Sequence, residues 1–164
     1  MVILRKVNID MDKVKDSVFS IKWDASMIDS VTDAALHYPK NSKLEYSSVC
    51  LQTELKKEKI DFEYLSTQLN MIVDHVTVIR QPPCRFSPLH TDGKLLTHPR
   101  RNVRAVIFLK DWVFGQFFGY NNFIMEPWVA GEGILWDGTV QHVAANAAKV
   151  DKLTLIVSGL DTHG

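Results

Sequence analysis

The sequence is poor in cysteine and has no surplus of charge. Its only thiols are Cys50 and Cys84 in 164 residues. Two cysteines are too few for a disulfide-stapled secreted scaffold, and without CxxC spacing they argue against a thiolate metal site or redox pair. Nineteen Lys and Arg balance nineteen Asp and Glu, so the formal net charge is zero. Proteins that live on phosphate backbones or anionic membranes need a basic excess, so neither nucleic acid nor membrane is expected as a partner. A local patch, Arg100, Arg101 and Arg104, suits either attraction of an acidic target or a solvated loop, and the loop is the preferred reading. No stretch approaches the roughly 18 apolar residues of a membrane span. The first dozen residues carry Arg5, Lys6 and Asp10 with no apolar run behind them, unlike a secretory leader. The expectation is a cytoplasmic, reduced protein. There is also no internal repeat and no low-complexity linker, so one domain, 1–164, is expected.

What is present is ordinary globular material, 46% hydrophobic and 23% charged. Its texture changes near residue 75. Before that point the periods are helical. Ile28, Val31, Ala35 and Leu36 share a face between Met27 and Tyr38, and Pro39 ends the run. Asp61 suits the N-cap of a second helix carrying Phe62, Leu65, Leu69 and Ile72, with Ile60 as a staple onto Leu65. A short helix is expected around Asp12–Ser20, and a loop with a short strand over Asn41–Glu54. After residue 75, short β-rich runs follow one another: Val76–Arg80, Leu89–Asp92, Arg104–Leu109, Phe117–Tyr120, Asn122–Glu126, Ile134–Trp136, Val140–Asn146 and Lys152–Ser158. About eight strands at that spacing predict a sandwich or barrel over 76–160, with the segments of 1–75 packed outside it.

Three side chains stand out for chemistry. In His90-Thr91-Asp92, residues i and i+2 of an extended strand project from one face, so an imidazole and a carboxylate can converge. The competing account is a turn-capping pair beside Pro88 and Gly93. The third is His142. If 147–151 makes a turn, the last two strands pair antiparallel. Their even positions then include His142, Asn146, Lys152, Thr154 and Ser158, against Val143, Ala145, Leu153, Leu155 and Val157 on the odd side. A half-exposed sheet would turn that polar row to water. Helices covering the apolar side would instead make it the lining of a barrel, where a ligand site belongs. Two imidazoles and one carboxylate can occupy one face of an octahedral metal, and they also suit Zn(II). His37, His75, His98 and His163 are left as solvated or packed residues. Trp112, Phe114, Phe117, Phe118 and Tyr120 are candidate walls for a substrate pocket.

These motifs resemble the Fe(II)- and 2-oxoglutarate-dependent dioxygenases, over roughly 76–159. The resemblance rests on His90-Thr-Asp92, His142 some fifty residues on, and Lys152 ten beyond that, with Thr154 two further. The stretch Trp128–Gly138 leading into His142 also looks like this superfamily, as does Arg104–Leu109 followed by a Gly115 turn. The nearest look is to prolyl-hydroxylase-like and aspartyl/asparaginyl-hydroxylase-like members. The resemblance implies a mainly β fold with supporting α-helices, a double-stranded β-helix (jelly roll, cupin-like). It implies His90, Asp92 and His142 as ligands of Fe(II), and Lys152 with Thr154 as the grip on the distal carboxylate of 2-oxoglutarate. With O2 as second cosubstrate, the implied activity is hydroxylation of a C–H bond in an amino-acid, peptidyl or other small substrate, with release of succinate and CO2. Lys152 fits the prolyl hydroxylases, but the Tyr they usually add from the first core strand is missing. Arg80 and Gln81 are the polar residues near that position. A cupin-like metalloprotein using the same triad, or a non-enzymatic binding barrel, are the alternative expectations.

Overall fold

The computed structural model describes residues 4–24, 28–29, 50–91 and 102–162. Eight strands form the core of the protein: β4 (Met71–Gln81), β5 (Arg85–His90), β6 (Asn102–Phe108), β7 (Gln116–Tyr120), β8 (Phe123–Ile124), β9 (Glu132–Asp137), β10 (His142–Asn146) and β11 (Lys152–Asp161). The chain passes back and forth between two antiparallel sheets. One runs β9-β6-β11-β4 and the other β5-β10-β7-β8. This four-plus-four interleaving is the double-stranded β-helix, or jelly roll.

The N-terminal part enlarges the first of these sheets. Strand β1 (Leu4–Asn8) joins the β9 edge, while β3 (Cys50–Glu54) and β2 (Ile28–Asp29) extend the β4 edge, giving seven strands in all. The short strand expected within Asn41–Glu54 is β3, whereas β1 and β2 were not anticipated. The anticipated helix Met27–Tyr38 begins instead with β2 at Ile28–Asp29, and the remainder of it lies outside the described residues.

Two helices follow the sequence signals more closely. A short 3-10 turn (Met11–Lys13) leads into α1 (Lys15–Phe19), and Val14 and Val18 are buried one turn apart. Helix α2 (Phe62–Leu69) is capped by Asp61, whose carboxylate accepts the Tyr64 N–H at 2.9 Å. Asn70 ends it in the left-handed conformation, its N–H turned back to the carbonyls of Ser66 and Thr67. Ile60, Leu65 and Leu69 are all buried in one core. Ile72 was expected on this helix but lies in β4 and is exposed.

The cause is a bulge. Ser158 pairs with His75 and Gly159 with Val73, so Asp74 is an extra residue on β4. The bulge reverses the alternation, placing Met71 and Val73 on the same side as Val76 and Val78. It also brings the Ile72 carbonyl so near Gly159 that a Cβ there would collide with it.

Period-two alternation then divides the interior into two layers. Ala105, Ile107, Leu135, Leu155 and Val157 face outward under α2 and the N-terminal turn. Val106, Phe108, Ile134, Trp136 and Ile156 face inward between the sheets, meeting Phe118 and Tyr120. Among the described residues no helix is long and apolar enough to cross a membrane.

Candidate active site

Strands β10 and β11 were expected to pair with each other. They lie in different sheets: β10 pairs with β5 and β7, and β11 with β4 and β6. Alternation within a strand reveals which residues share a face but not which sheet the strand joins. The polar residues still meet, because the two inner faces oppose one another across a cavity of about 350 Å³. His90, His142, Lys152, Thr154 and Ser158 line it, whereas Leu155 and Val157 belong to the outward core.

On the smaller sheet, His142 at the start of β10 is the Cα partner of His90 at the end of β5. The two ring centroids are 4.3 Å apart. A second irregularity aims them. Two steps on β10, from His142 to Ala144, span three on β5, from His90 to Ser87. The register slips at Pro88-Leu89, where proline supplies no N–H to the ladder. Ser87 and His90 consequently both line the cavity although their numbers differ in parity.

His142 is buried, and its ring packs 4.8 Å from Trp136 by centroid. Its Nδ1 lies 3.2 Å from the Val140 carbonyl. A carbonyl can only accept, so Nδ1 carries the proton and Nε2 presents the lone pair a metal would use. Asp92 lies outside the described residues. Among those described, no group of three His, Cys, Asp or Glu side chains is arranged to hold a metal.

The larger sheet supplies the cation. Lys152 opens β11 and is only 3% exposed. Its ammonium donates to the Phe117 carbonyl at 2.7 Å and sits 5.5–5.8 Å from the ring centres of Phe118, Trp128 and Phe108. Among the described residues no carboxylate pairs with it, and no Asp or Glu lines the cavity. Burial accordingly pulls its pKa from 10.5 down to about 7, partly opposed by Cys50 nearby. Thr154 stands on the same face one step along.

Of the two polar candidates near the end of β4, the structure separates one from the other. Gln81 pairs with Lys152 in the ladder, is buried and lines the cavity. Arg80 points elsewhere and pairs with Asp151 at 2.8 Å. Asn146 closes this end. Its amide nitrogen donates to the carbonyls of Gln81 and Val150, both at 2.8 Å, and its oxygen accepts the Ala148 N–H at 3.2 Å.

Several cavity residues were not anticipated. His75, Thr77, Ser87 and Arg104 line it, and Arg104 therefore does not belong to a solvated loop. Their signal is legible only through the ladder, where Ser158 pairs with His75 on one side and Arg104 on the other. Of the aromatic residues expected as a wall, Phe118 alone lines the cavity, and Phe114 is 86% exposed.

No family model matches the chain, and no curated protein matches it by sequence. Among solved structures, a Pseudomonas putida prolyl-4-hydroxylase is similar at a TM-score of 0.65 and 14% identity, covering 98% of this chain and 92% of that one. A Trichoplax adhaerens prolyl hydroxylase, solved with a hypoxia inducible factor peptide fragment, gives 0.64 and 12%, over 98% and 84%. A viral collagen prolyl hydroxylase from Paramecium Bursaria Chlorella virus-1, solved with 2OG, gives 0.58 and 13%, over 94% of each. At such identities the likeness is one of fold, the double-stranded β-helix.

Proposed function

We propose that this chain is a 2-oxoglutarate-dependent non-haem iron dioxygenase. Its reaction is hydroxylation of a C–H bond in an amino-acid, peptidyl or other small substrate, with release of succinate and CO2. The observation that carries the reading is Lys152, a buried ammonium in a cavity whose described lining holds no carboxylate, facing a wall that bears two opposed imidazoles. An unpaired buried ammonium costs several kcal/mol, and a ligand carboxylate offsets that cost through a charge-assisted hydrogen bond. Structural likeness to prolyl hydroxylases supports the same reading.

The donor set fits iron. His142 presents Nε2 because Val140 holds Nδ1, His90 faces it, and Asp92 two residues on is the carboxylate ligand in this reading. Iron bound by these three, with 2-oxoglutarate and O2 as cosubstrates, supplies the oxidising chemistry. The chain's own residues bind and orient. Lys152 grips the distal carboxylate of the cosubstrate, and the Thr154 hydroxyl donates to it. Gln81 sits beside Lys152 at the buried end and fixes the cosubstrate's rotation. Trp136 and Phe118 hold the His142 ring and keep water from the reacting centre. In this reading the chain works as one domain in a reducing, cytoplasmic setting.

The test is Fe(II)-dependent release of succinate from 2-oxoglutarate, measured without any prime substrate. Wild type should turn over slowly, and His142→Ala should not turn over at all. A folded, iron-loaded wild type that releases no succinate would sink the proposal. Zn(II) binding without 2-oxoglutarate binding would favour the cupin-like alternative.

A further inference from the structure

Four levels cross the cavity along β11. At the first, Lys152 lies beside Gln81; at the second, Thr154 lies between Ile79 and Phe108. The third is largely apolar, with Ile156 flanked by Thr77 and Val106. At the fourth, Ser158 stands between His75 and Arg104. Exposure runs along the same axis. Lys152 is buried, Arg104 and Ser158 are half-buried, and His75 is exposed, so the fourth level forms the mouth.

The mouth is a second polar centre with its own cation. Arg104 Nε donates to the Ser158 hydroxyl at 3.3 Å, which fixes one edge of the guanidinium. His75 bonds Thr77 at 2.9 Å through Nε2, with Glu54 3.5 Å from its Nδ1. Six residues of strand separate Ser158 from Lys152, a span of roughly 20 Å. A five-carbon dicarboxylate held at Lys152 cannot reach that far. One ligand therefore cannot serve both cations, and the Ile156 level separates the two sites.

We infer that the Arg104–Ser158–His75 row at the mouth binds a carboxylate of the prime substrate, which is thus an acid rather than a neutral molecule. The inference rests on the functional reading above and narrows it. Arg104 is the specificity-determining group, since a guanidinium fork matches a carboxylate in two-point geometry. Ser158 is a positioning residue that sets the plane of the fork. The carboxylate can be the α-carboxylate of an amino acid or the side chain of an acidic residue in a peptide.

The experiment measures binding to the full chain loaded with Zn(II) and saturating 2-oxoglutarate, by calorimetry and without turnover. The probes are N-acetyl amino acids, their primary amides, and acetylated, amidated aspartate and glutamate. Acids should bind at least tenfold tighter than their amides. Tight binding of the N-acetyl amino acids identifies an α-carboxylate, and tight binding of the capped acidic residues a side-chain one. Arg104→Gln should abolish the preference and leave 2-oxoglutarate affinity unchanged. Arg104→Lys should retain part of it, and Ser158→Ala should weaken it a few-fold. Equal binding of acids and amides, or a preference that survives Arg104→Gln in the folded variant, overturns the inference. Failure of wild type to bind 2-oxoglutarate is a distinct result that overturns the functional reading and this one with it.

Discussion

Leu155 and Lys152 stand three residues apart on β11, both buried, and they act on the free protein with opposite sign. Leu155 faces outward and is fully enclosed among Leu65, Leu69 and the neighbouring strands, where each buried methylene stabilises the fold. Lys152 faces inward and keeps an ammonium out of water, with one carbonyl and three ring faces for company among the described residues. One face of the strand holds the protein together, and the other carries a buried charge that costs part of that stability. The difference teaches where in this fold a substitution should damage folding and where it should damage binding.

The sharpest way to break the comparison is on the outward face. Leu155→Ala should cost about 2–5 kcal/mol in urea unfolding through lost burial and the cavity left behind. Its folded fraction should bind 2-oxoglutarate as wild type does. A large change in cosubstrate affinity there would show that the two faces are not separable. Lys152→Met is the mirror experiment. It should raise the 2-oxoglutarate requirement roughly 100-fold, the loss expected when a buried charged partner is removed. The urea midpoint at pH 6 should rise rather than fall, since a buried charge is replaced by an apolar chain of similar length.

Acidity sharpens the same contrast. Lys152 titrates near 7 in the folded chain and near 10.5 when unfolded. Between those values the unfolded state binds more protons, so the stability of the free protein should increase from pH 7 to 10.5. The stabilising effect of Lys152→Met should correspondingly shrink over that window. Cosubstrate binding should move the other way. Its carboxylate needs the ammonium, so affinity should fall up to tenfold per pH unit above 7, as titration calorimetry at pH 7, 8 and 9 would measure. An affinity flat across that range would break the assignment of Lys152 as the grip. The smallest effect belongs to Thr154→Val, which should weaken 2-oxoglutarate a few-fold and leave metal loading unchanged.

Much of this division is legible in the sequence, because alternation within one strand is a local property. The odd residues of β11 from Leu153 to Val157 are all apolar, and they are the ones under the helices. Asp61 likewise announces α2 because a cap depends only on neighbouring backbone. What is not legible is anything set by partners far along the chain. A jelly roll sends consecutive strands to opposite sheets, so the expected β10–β11 pairing fails although the residues still converge. The bulges at Asp74 and at Pro88-Leu89 reverse parity within a strand. They hid the first turns of β4 and the inward aim of Ser87. Arg104 looked like part of a surface patch because its ladder partners, Ser158 on β11 and Trp136 on β9, lie some fifty and some thirty residues downstream. In the candidate site, His90, His142, Lys152 and Thr154 are found on one cavity. Gln81 is distinguished from Arg80 only by the ladder.

Asn146 has a kinetic consequence. By tying the carbonyls of Gln81 and Val150 together, it closes the Lys152 end, and among the described residues the cavity opens beside half-buried Arg104 and exposed His75. Two molecules that share one doorway must queue. The one bound deeper arrives first and departs last, and the shallower one blocks its exit. For the proposed reaction this means that cosubstrate precedes substrate, and that succinate waits behind the hydroxylated product. A product slow to leave the mouth would therefore trap the enzyme with its inner site still filled, making the door, rather than the chemistry, the pace-setter of the cycle.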